Sequence, residues 1–232
     1  MARSPAKPAA SAAVTARVAS ADSPPTAARA DDTPPSSRRR GAMDSKTRAA
    51  LIDATAQLMF DEGHAAVTAR RVAAKVGVNP GLVHYYFHSM DELFLAVFRQ
   101  GAEANLRRQA RALSSRQPLR SLWKVNTDPR GVKLFMEFIV LSHQDETIRA
   151  EIAAYAERFR EAEKKTIDRI LKRQGIDTTT IPPGAASILI DSLARLIAIE
   201  RALGVTNGHD DMITLVDDYL GRFDTPDRDT RA

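Results

Sequence analysis

Hydrogen-bonding and aromatic side chains are concentrated between residues 68 and 88 of this 232-residue chain. His84 and His88 stand four residues apart, a spacing that places both imidazoles on one face of a helix. Such a pair could bind a metal ion, but the H-E-x-x-H pattern of a helical zinc site is absent. We therefore predict no metal and no other cofactor. The remaining side chains suit hydrogen bonds to phosphates and to base edges.

The composition argues against several other kinds of chemistry. The chain has no cysteine, which excludes disulfides, thiolate metal sites and a cysteine nucleophile. A nucleophile elbow, a phosphate-binding loop and a Rossmann fingerprint are all absent, so we predict that the protein is not an enzyme. No apolar run approaches the roughly 20 residues of a membrane-spanning helix, and the N-terminus lacks the apolar segment of a signal peptide. These features predict a soluble, cytoplasmic protein.

Two short predicted helices position the polar side chains. Thr68 can cap a helix that ends at Val76, because Gly77 then stands where a left-handed residue ends a helix. Asn79 can cap the next helix, with Pro80 at its first position, where the missing N–H costs nothing. Short helices joined by a glycine-containing turn are typical of a helix-turn-helix, whose second helix can enter the major groove of DNA.

Helical periodicity continues through the rest of the chain, without the alternation typical of strands, and predicts an all-α fold. Residues 132–141 are apolar around nearly the whole circumference of a helix, so we expect them to be buried at the centre of a second domain. The predicted helices comprise residues 45–62, 68–76, 80–86 and 89–113, a short helix after Pro118, a helix that begins at Pro129, and residues 145–174, 184–203 and 210–223.

Residues 1–43 differ in composition from the rest. They are mostly Ala, Pro and Ser, and they carry seven Arg or Lys and three Asp. We predict a disordered tail, because such a segment cannot bury enough surface to offset the entropy lost on ordering. Its arginines 38–40 could touch phosphates or the minor groove, or belong to a solvated linker. The remaining residues carry 27 basic and 26 acidic groups, so the folded part is nearly neutral.

A specific series of residues surrounds the helix-turn-helix. It consists of Arg48, Leu51-Ile52-Asp53-Ala54, Leu58, Gly63, Thr68-Ala69-Arg70, Val72-Ala73, Gly77-Val78, Gly81, Tyr85-Tyr86-Phe87, Ser89 and Glu92-Leu93. In this order the series resembles the TetR/AcrR family of bacterial transcriptional regulators. The resemblance implies a homodimer that binds a palindromic operator in double-stranded DNA. It also implies a second domain that binds a small molecule and thereby releases the DNA.

Three positions depart from the common family pattern. Leu82 stands where a small or hydroxyl residue is usual, and it can offer only an apolar contact, such as one to a thymine methyl group. His84 stands where a phenol often contacts phosphate. Met90 replaces a usual lysine, which removes a positive charge that could reach a phosphate.

The resemblance and the helix-turn-helix together predict the DNA contacts. We expect Leu82, His84 and Tyr85 to approach base edges and Gly81 to allow close approach of the backbone. Other side chains would hold phosphates, although Tyr86 could instead belong to the core. The predicted DNA-binding residues are Thr68, Arg70, Asn79, Gly81, Leu82, His84, Tyr85 and Tyr86.

A set of aromatic and apolar residues in the second domain could line an effector cavity. Any single one of them fits ordinary core better, and His143 could equally be a ligand contact or a buried, hydrogen-bonded histidine. Because the set has few polar members, it predicts a mostly hydrophobic effector. The set comprises Trp123, Asn126, Phe135, Phe138, Ile139, His143, Tyr155 and Phe159.

The last two helices carry more apolar surface than one subunit needs, which predicts a dimer interface of two helices from each subunit. Some of these residues must also pack within the chain, on other faces of the same helices. The predicted interface residues are Ile188, Leu196, Ile199, Met212, Leu215, Tyr219 and Phe223.

These predictions divide the chain into a tail at 1–43, a DNA-binding domain at 44–88, an effector-binding and dimerisation domain at 89–224, and a frayed end at 225–232. Met43 resembles a natural start, so the tail could reflect a mis-assigned translation start. The predicted function is that of a DNA-binding transcriptional regulator, a repressor released by its ligand. The alternatives are an all-α protein-interaction module, or an enzyme, without DNA binding.

Overall fold

The computed structural model of the protein describes the backbone of residues 35–224 and the side chains of residues 44–223. Every regular element in this range is helical, and none of its helices is long and apolar enough to cross a membrane. The helices are α1 Pro35–Glu62, a short 3-10 helix His64–Ala66, α2 Ala69–Val76, α3 Pro80–Tyr86, α4 Met90–Leu113, α5 Pro118–Asn126, α6 Pro129–Ser142, α7 Glu146–Arg173, α8 Pro183–Ala202 and α9 His209–Asp224.

The helices confirm the predicted fold class and nearly all of the predicted bounds. The exception is α1, which begins at Pro35, so the part of the predicted tail at 35–43 is helical and that part of the prediction is wrong. The prediction relied on apolar periodicity, which begins near Leu51. Such a pattern cannot reveal that a helix continues through the polar residues before it. Proline is also well suited to the first turn of a helix. The predictions for residues 1–34 and 225–232 lie outside the described residues.

Local capping explains where the DNA-binding helices begin. The Thr68 hydroxyl accepts a hydrogen bond from the Arg71 amide at 3.3 Å, and the Asn79 side chain accepts one from the Gly81 amide at 2.8 Å. Between them Gly77 has a φ of +75°, a left-handed conformation that favours glycine. Ser89 caps α4 by accepting from the Glu92 amide at 3.1 Å. These contacts confirm the predicted helix starts and the predicted turn.

The first hydrophobic core joins the helix-turn-helix to the following helices. Phe87, which directly follows α3, and Leu93 near the start of α4 are fully buried in it. Side chains from α6 and α7 complete the same core, so packing continues across the predicted boundary at residue 88. Its buried members include Leu51, Met59, Val72, Val83, Phe87, Leu93, Phe98, Phe138, Leu141, Ile148 and Tyr155.

The second hydrophobic core lies among α5, α7, α8 and α9. Trp123 is buried there, beside side chains from the C-terminal half of α7. Its other buried members are Leu119, Ile167, Ile170, Leu171, Ala194, Ile197, Val216 and Leu220. The long helix α7 therefore contributes to both cores and connects them.

The prediction that residues 132–141 are buried on all sides is wrong. Phe138 and Leu141 are buried, but Met136 is 40% exposed and Val140 is 45% exposed. Helix α6 packs against α7 and α8. One face of this apolar helix therefore stays accessible within the described part of the chain. The composition of the helix does not show which of its apolar side chains are covered by other helices.

Candidate functional site

Helix α3 presents a polar and aromatic face because its apolar residues are held inside. Val83 is 1% exposed and anchors the helix in the first core, together with Phe87. Tyr85 is 69% exposed, and His84 is also exposed, while Leu82 is half-buried. The structure thus places the residues predicted to approach base edges on the accessible side of a helix whose other side is fixed.

Gly81 lies close to the atom that caps α3. A Cβ atom added there would meet only the Oδ1 atom of Asn79, at 3.2 Å, and the backbone is not left-handed. Glycine inside a helix costs roughly 1 kcal/mol relative to alanine, so its presence here fits a close approach of the backbone to another molecule. Asn79 itself is engaged as the cap, which leaves its amide nitrogen available.

Tyr86 is half-buried against the first core, and its hydroxyl donates a hydrogen bond to Asp44 at 3.0 Å. Burial raises the pKa of the Tyr86 phenol, and the hydrogen bond to Asp44 raises it further. This geometry favours the packing role for Tyr86, since its hydroxyl already has a partner on α1. Its contact with phosphate stays a prediction.

The cations of α2 differ in their surroundings. Arg70 and Lys75 are exposed. Arg71, in contrast, donates to Glu62 at 2.5 Å and to the Ala66 carbonyl oxygen at 3.0 Å, so its charge is used inside the domain. The free positive charge of this helix is therefore carried by Arg70, which was predicted, and by Lys75, which was not.

The sequence prediction missed two further cations, Lys46 and Arg48, near the first described side chains of α1. Both are exposed, and the Arg48 guanidinium lies 4.9 Å from the centre of the Phe87 ring. This contact places a positive charge beside Phe87, at the end of α3. No local pattern marks these residues, because the pairing of α1 with α3 is a long-range contact.

Helix α6 contacts the DNA-binding domain through three side chains on one face. The Glu137 carboxylate accepts hydrogen bonds from the His64 amide at 2.8 Å and lies 2.6 Å from the His64 Nδ1 atom. Lys133 and Arg130 lie over the ring of Phe60, with cation-to-centroid distances of 4.6 and 4.9 Å. Burial alone would raise the pKa of Glu137, but the hydrogen bonds from His64 outweigh burial and lower it.

A second group of polar side chains lies between α4, α5, α7 and α8. Asn126 donates to Asp191 at 2.5 Å, and Arg160 pairs with the other oxygen of Asp191 at 2.9 Å. Ser187 receives a hydrogen bond from Arg160 at 2.9 Å and donates to Glu163 at 2.6 Å. We refer to this group as the polar network; it consists of Gln109, Asn126, Arg160, Glu163, Ser187 and Asp191.

The charges of the polar network are strongly perturbed. Burial raises the pKa of Glu163 to about 7, and the negative charge of Asp191 adds to the effect. Burial also raises the pKa of Asp191, against the opposing influence of Arg160 and Arg195. Carboxyl groups with raised pKa values in a protein interior are characteristic of functional sites.

The predicted effector residues are divided between the two cores. Trp123 belongs to the second core, whereas Phe138, Tyr155 and the half-buried Phe159 belong to the first. Phe135 lies under the Arg195 guanidinium at 5.0 Å, and Ile139 is half-buried. Asn126 is part of the polar network. The structure places these residues in different parts of the second domain. The prediction that they bind an effector stays untested.

His143 is exposed at the C-terminal end of α6, so the interpretation of it as a buried histidine is wrong. Helix α6 ends there, and its last turn leaves the core at Leu141. A role of His143 in ligand binding stays a prediction.

A cavity of about 290 Å³ lies along α8, next to the polar network. Arg160 and Asp191 belong to both, so the cavity leads directly to the network. None of the predicted effector residues lines it. Its lining is formed by Arg160, Asp191, Ser192, Arg195, Leu196 and Ile199.

The residues predicted for the dimer interface fall into two groups. Ile188, Leu196, Leu215 and Tyr219 are between 49 and 62% exposed, so within one chain a large part of each remains uncovered. Met212 and Phe223 are half-buried and pack on the second core, and Ile199 is half-buried. The prediction missed three further exposed apolar residues of the same region, Leu189, Leu203 and Val205.

Comparison with known proteins identifies the class to which this arrangement belongs. Residues 51–97 match the family model of bacterial regulatory proteins of the tetR family. The HTH-type transcriptional regulator BetI of Rhizobium meliloti (strain 1021) is 30% identical over 128 residues, which cover 51% of this chain and 63% of that relative. The BetI protein of Brucella anthropi is 28% identical over 189 residues, which cover 77% of this chain and 93% of that relative.

A solved structure shares the fold over most of the chain. A transcriptional regulator from Saccharomonospora viridis, in complex with choline, superimposes with a TM-score of 0.63 at 21% identity, covering 76% of this chain and 96% of its own. The fold and the helix-turn-helix residues thus define a helical DNA-binding regulator. Over residues 51–97 the chain matches the TetR family of bacterial transcriptional regulators, and the relatives that it resembles over most of its length are transcriptional regulators.

Proposed function

We propose that the protein acts as a homodimeric repressor that binds a palindromic operator and leaves it when a small effector binds. The observation that carries this proposal is the accessible face of α3, which offers His84, Tyr85 and Gly81 while Val83 anchors the helix. In a dimer, two such helices would lie about one DNA turn apart, roughly 34–36 Å or a multiple of it.

The dimer is supported by the exposed apolar residues of α8 and α9. Ile188 and Leu196 lie on one face of α8, two turns apart, and Leu215 and Tyr219 lie one turn apart on α9. We infer that these exposed apolar side chains belong to an interaction site. Pairing of α8 and α9 with their counterparts in a second copy would cover it as a four-helix bundle.

Release by an effector is supported by two links between the domains. Helix α4 begins at the DNA-binding domain and continues into the second domain, and α6 contacts the DNA-binding domain through Glu137 and Lys133. The choline complex of the structural neighbour supports a small effector for this chain as well. An effector can shift the spacing of the DNA-binding domains only if it binds one spacing more tightly than the other.

The test is a fluorescence-anisotropy titration of the full-length protein against DNA from upstream of its own gene, at several salt concentrations. We expect salt-dependent binding, and we expect Tyr85→Ala combined with His84→Ala to weaken it at least tenfold while unfolding at the same temperature. Replacement of the exposed Met136 by Ala serves as the control. Absence of binding at low salt to this DNA or to any palindromic DNA would contradict the proposal.

A further inference from the structure

Residues 104–127 form the most strongly charged segment of the folded part. They comprise the end of α4, the following turn and α5, and they carry six Lys or Arg and no Asp or Glu. Residues 44–103, which contain the helix-turn-helix, carry six Lys or Arg and seven Asp or Glu. Residues 128–232 carry 15 basic and 19 acidic side chains. The most basic segment is therefore not the one that is proposed to read DNA.

Two of the six cations are used inside the chain. Arg108 donates to the Asp128 carboxylate at 2.8 Å, which ties the start of α6 to α4. Arg120 donates to the carbonyl oxygen of Asp217 at 2.7 Å, which ties α5 to α9. Both arginines therefore hold helices together, and their charge needs no external partner.

The other four cations are exposed, and we refer to them as the basic surface: Arg107, Arg111, Arg116 and Lys124. The last three have no ion pair and no side-chain hydrogen bond among the described residues. The first lies near Glu103, whose carboxylate already pairs with Arg158. The basic surface thus carries positive charge that the described part of the chain leaves largely uncompensated.

The basic surface is held on a pair of packed helices. Gln109 of α4 donates to Asn126 of α5 at 3.3 Å, and the hydroxyl groups of Ser115 and Ser121 lie 2.8 Å apart. These contacts make α4 and α5 an antiparallel pair, so the cations at the end of α4 lie beside the cation of α5. The four charges therefore belong to one helix hairpin rather than to a flexible segment.

Helix dipoles account for only part of this pattern. Arg111 and Lys124 lie in the last turns of α4 and α5, where the negative end of the dipole favours a cation. Arg116 lies in the turn between the two helices, outside both of them. The dipoles also leave unexplained why the whole segment lacks an acidic side chain.

The basic surface suits the phosphate backbone of a nucleic acid. Three of its members are arginines, whose planar guanidinium can donate two parallel hydrogen bonds to one phosphate. Arg107 and Arg111 lie one helix turn apart, which separates their Cβ atoms by about 5–6 Å. A DNA strand carries one negative charge per about 3.4 Å of axis, so each arginine can reach a different phosphate.

A membrane surface fits these residues less well. Segments that bind at a bilayer surface gain affinity from apolar side chains that enter the lipid beside the cations. Residues 104–127 lie wholly within the described part of the chain, and none of their large hydrophobic side chains is exposed. Charge without an apolar anchor favours a hydrated polyanion.

The basic surface is also distant from the start of the linking helix. Helix α4 begins beside the helix-turn-helix, and Arg111 lies roughly 30 Å along it from Met90, at about 1.5 Å per residue. This separation favours a different segment of DNA from the one beside α3.

We propose that the basic surface binds the phosphate backbone of a second DNA segment, without regard to its base sequence, while the helix-turn-helix holds the first. The protein thereby brings two DNA segments together. The inference goes beyond the proposed function, because it requires neither an effector nor a palindrome in the second segment.

The test is a capture experiment with the full-length protein at low salt. Duplex DNA from upstream of its own gene is fixed to beads, the protein is bound and the excess is washed away. A fluorescent duplex of random sequence is then added. We expect the protein to retain this second duplex on the beads, and we expect added salt to release it, because phosphate contacts displace counterions.

A variant that combines Arg111→Gln, Arg116→Gln and Lys124→Gln tests the surface. We expect it to stay bound to the DNA on the beads and to capture at least about tenfold less of the second duplex. A second measurement uses proteins that also carry His84→Ala and Tyr85→Ala. On random-sequence DNA, loss of the three cations should then lower the salt slope of the binding constant by roughly 2–3, since each phosphate contact contributes about 0.9.

The matched control removes the same charge from α7. It combines Lys164→Gln, Lys165→Gln and Lys172→Gln, three exposed lysines that pair with carboxylates on their own helix. We expect this variant to capture the second duplex as well as the natural protein does. Thermal denaturation checks that both triple variants are folded.

Three results would overturn the inference. The first is a protein that binds the DNA on the beads but captures no second duplex. The second is equal capture by the variant of the basic surface. The third is binding to phosphatidylglycerol vesicles that is tighter than binding to random-sequence DNA and is lost in the same variant. In the first two cases the proposed regulator stands. If the basic surface binds random-sequence DNA but the protein has no preference for its own upstream DNA, the inference stands and the proposed function fails.

Discussion

Adjacent arginines on α2 show how position decides the role of one residue type. Arg71 is tied to Glu62 and to the Ala66 carbonyl oxygen, so it fixes α2 to the end of α1. Arg70 is exposed on the same helix, next to the helix-turn-helix surface. We infer that Arg71 stabilises the domain, whereas Arg70 supplies charge to phosphates.

Replacing each arginine by glutamine should separate these roles. We expect Arg70→Gln to weaken binding on all DNA sequences and to reduce the salt slope of the binding constant by about 1, with unchanged thermal stability. Arg71→Gln should instead lower the unfolding temperature, because the Ala66 carbonyl loses a charged donor. Anisotropy titrations over a salt series and thermal denaturation measure the two effects. A lower unfolding temperature for Arg70→Gln would contradict the assignment.

Glu163 gives a second prediction at this scale, which does not depend on a ligand. The folded protein raises the pKa of this carboxyl group from 4.5 to about 7, so the folded state keeps a proton that the unfolded chain loses. Stability therefore falls as the pH rises from about 4.5 to about 7, and the loss is complete above that range.

Glu163→Gln removes this loss. We expect the variant to be more stable than the natural protein at pH 8, by up to about 3 kcal/mol, and similar to it at pH 4.5. Urea denaturation at the two pH values measures the difference. An equal change at both pH values would show that packing rather than ionisation is responsible.

Helix α6 shows what the sequence predicts about an element and what it does not. Its start at Pro129 and its approximate length follow from local composition, as do the caps at Thr68, Asn79 and Ser89. Which face is covered depends on other helices. Lys133 and Glu137, four residues apart, suggest a pair with each other, but each contacts the DNA-binding domain instead.

The same reasoning explains the partial prediction of the sites. The exposed face of α3 follows from a local pattern, in which Val83 and Phe87 mark the buried side. The polar network combines residues from four helices, up to 82 positions apart, and none of its members except Asn126 was predicted. Buried charges resemble surface charges in a sequence, because only the fold reveals their partners.

The α6 contact leads to a prediction about Glu137. In Glu137→Gln the His64 amide keeps only a neutral acceptor, and the hydrogen bond is weaker. We expect faster hydrogen exchange for the amides of residues 63–67, with no change in α9. Glu151→Gln is the matched control, because it removes an ion pair with Arg99 that joins α4 to α7. Unchanged exchange at residues 63–67 would show that α6 does not hold this turn.

For the molecule as a whole, the exposed apolar residues of α8 and α9 are the basis of the proposed dimer. Leu215 is 62% exposed and Ile188 is 52% exposed. Large apolar side chains exposed to water are unfavourable, and a second copy of the chain would cover them. Because two recognition helices on one palindrome bind together, loss of the dimer should also reduce affinity for DNA.

We expect Leu215→Glu to shift the protein from dimer to monomer in light scattering coupled to size exclusion, and to weaken DNA binding by more than about tenfold. The added charge cannot be buried in an apolar interface without a partner. Met136→Glu places the same charge on an exposed apolar position of α6, outside the proposed interface. A Leu215→Glu protein that still elutes as a dimer would exclude α9 from the interface.

The shared first core has a consequence for protein engineering. Regulators with new inputs are made by fusing the DNA-reading part of one protein to the sensing part of another. Here a junction at residue 88 would separate Phe87 and Val83 from the residues that pack with them in the first core. These are Leu93, Phe138 and Tyr155. In a hybrid that exchanges only residues 44–88, the new side chains would pack poorly against the retained part of the first core. A working exchange must carry compatible α4, α6 and α7 side chains with it.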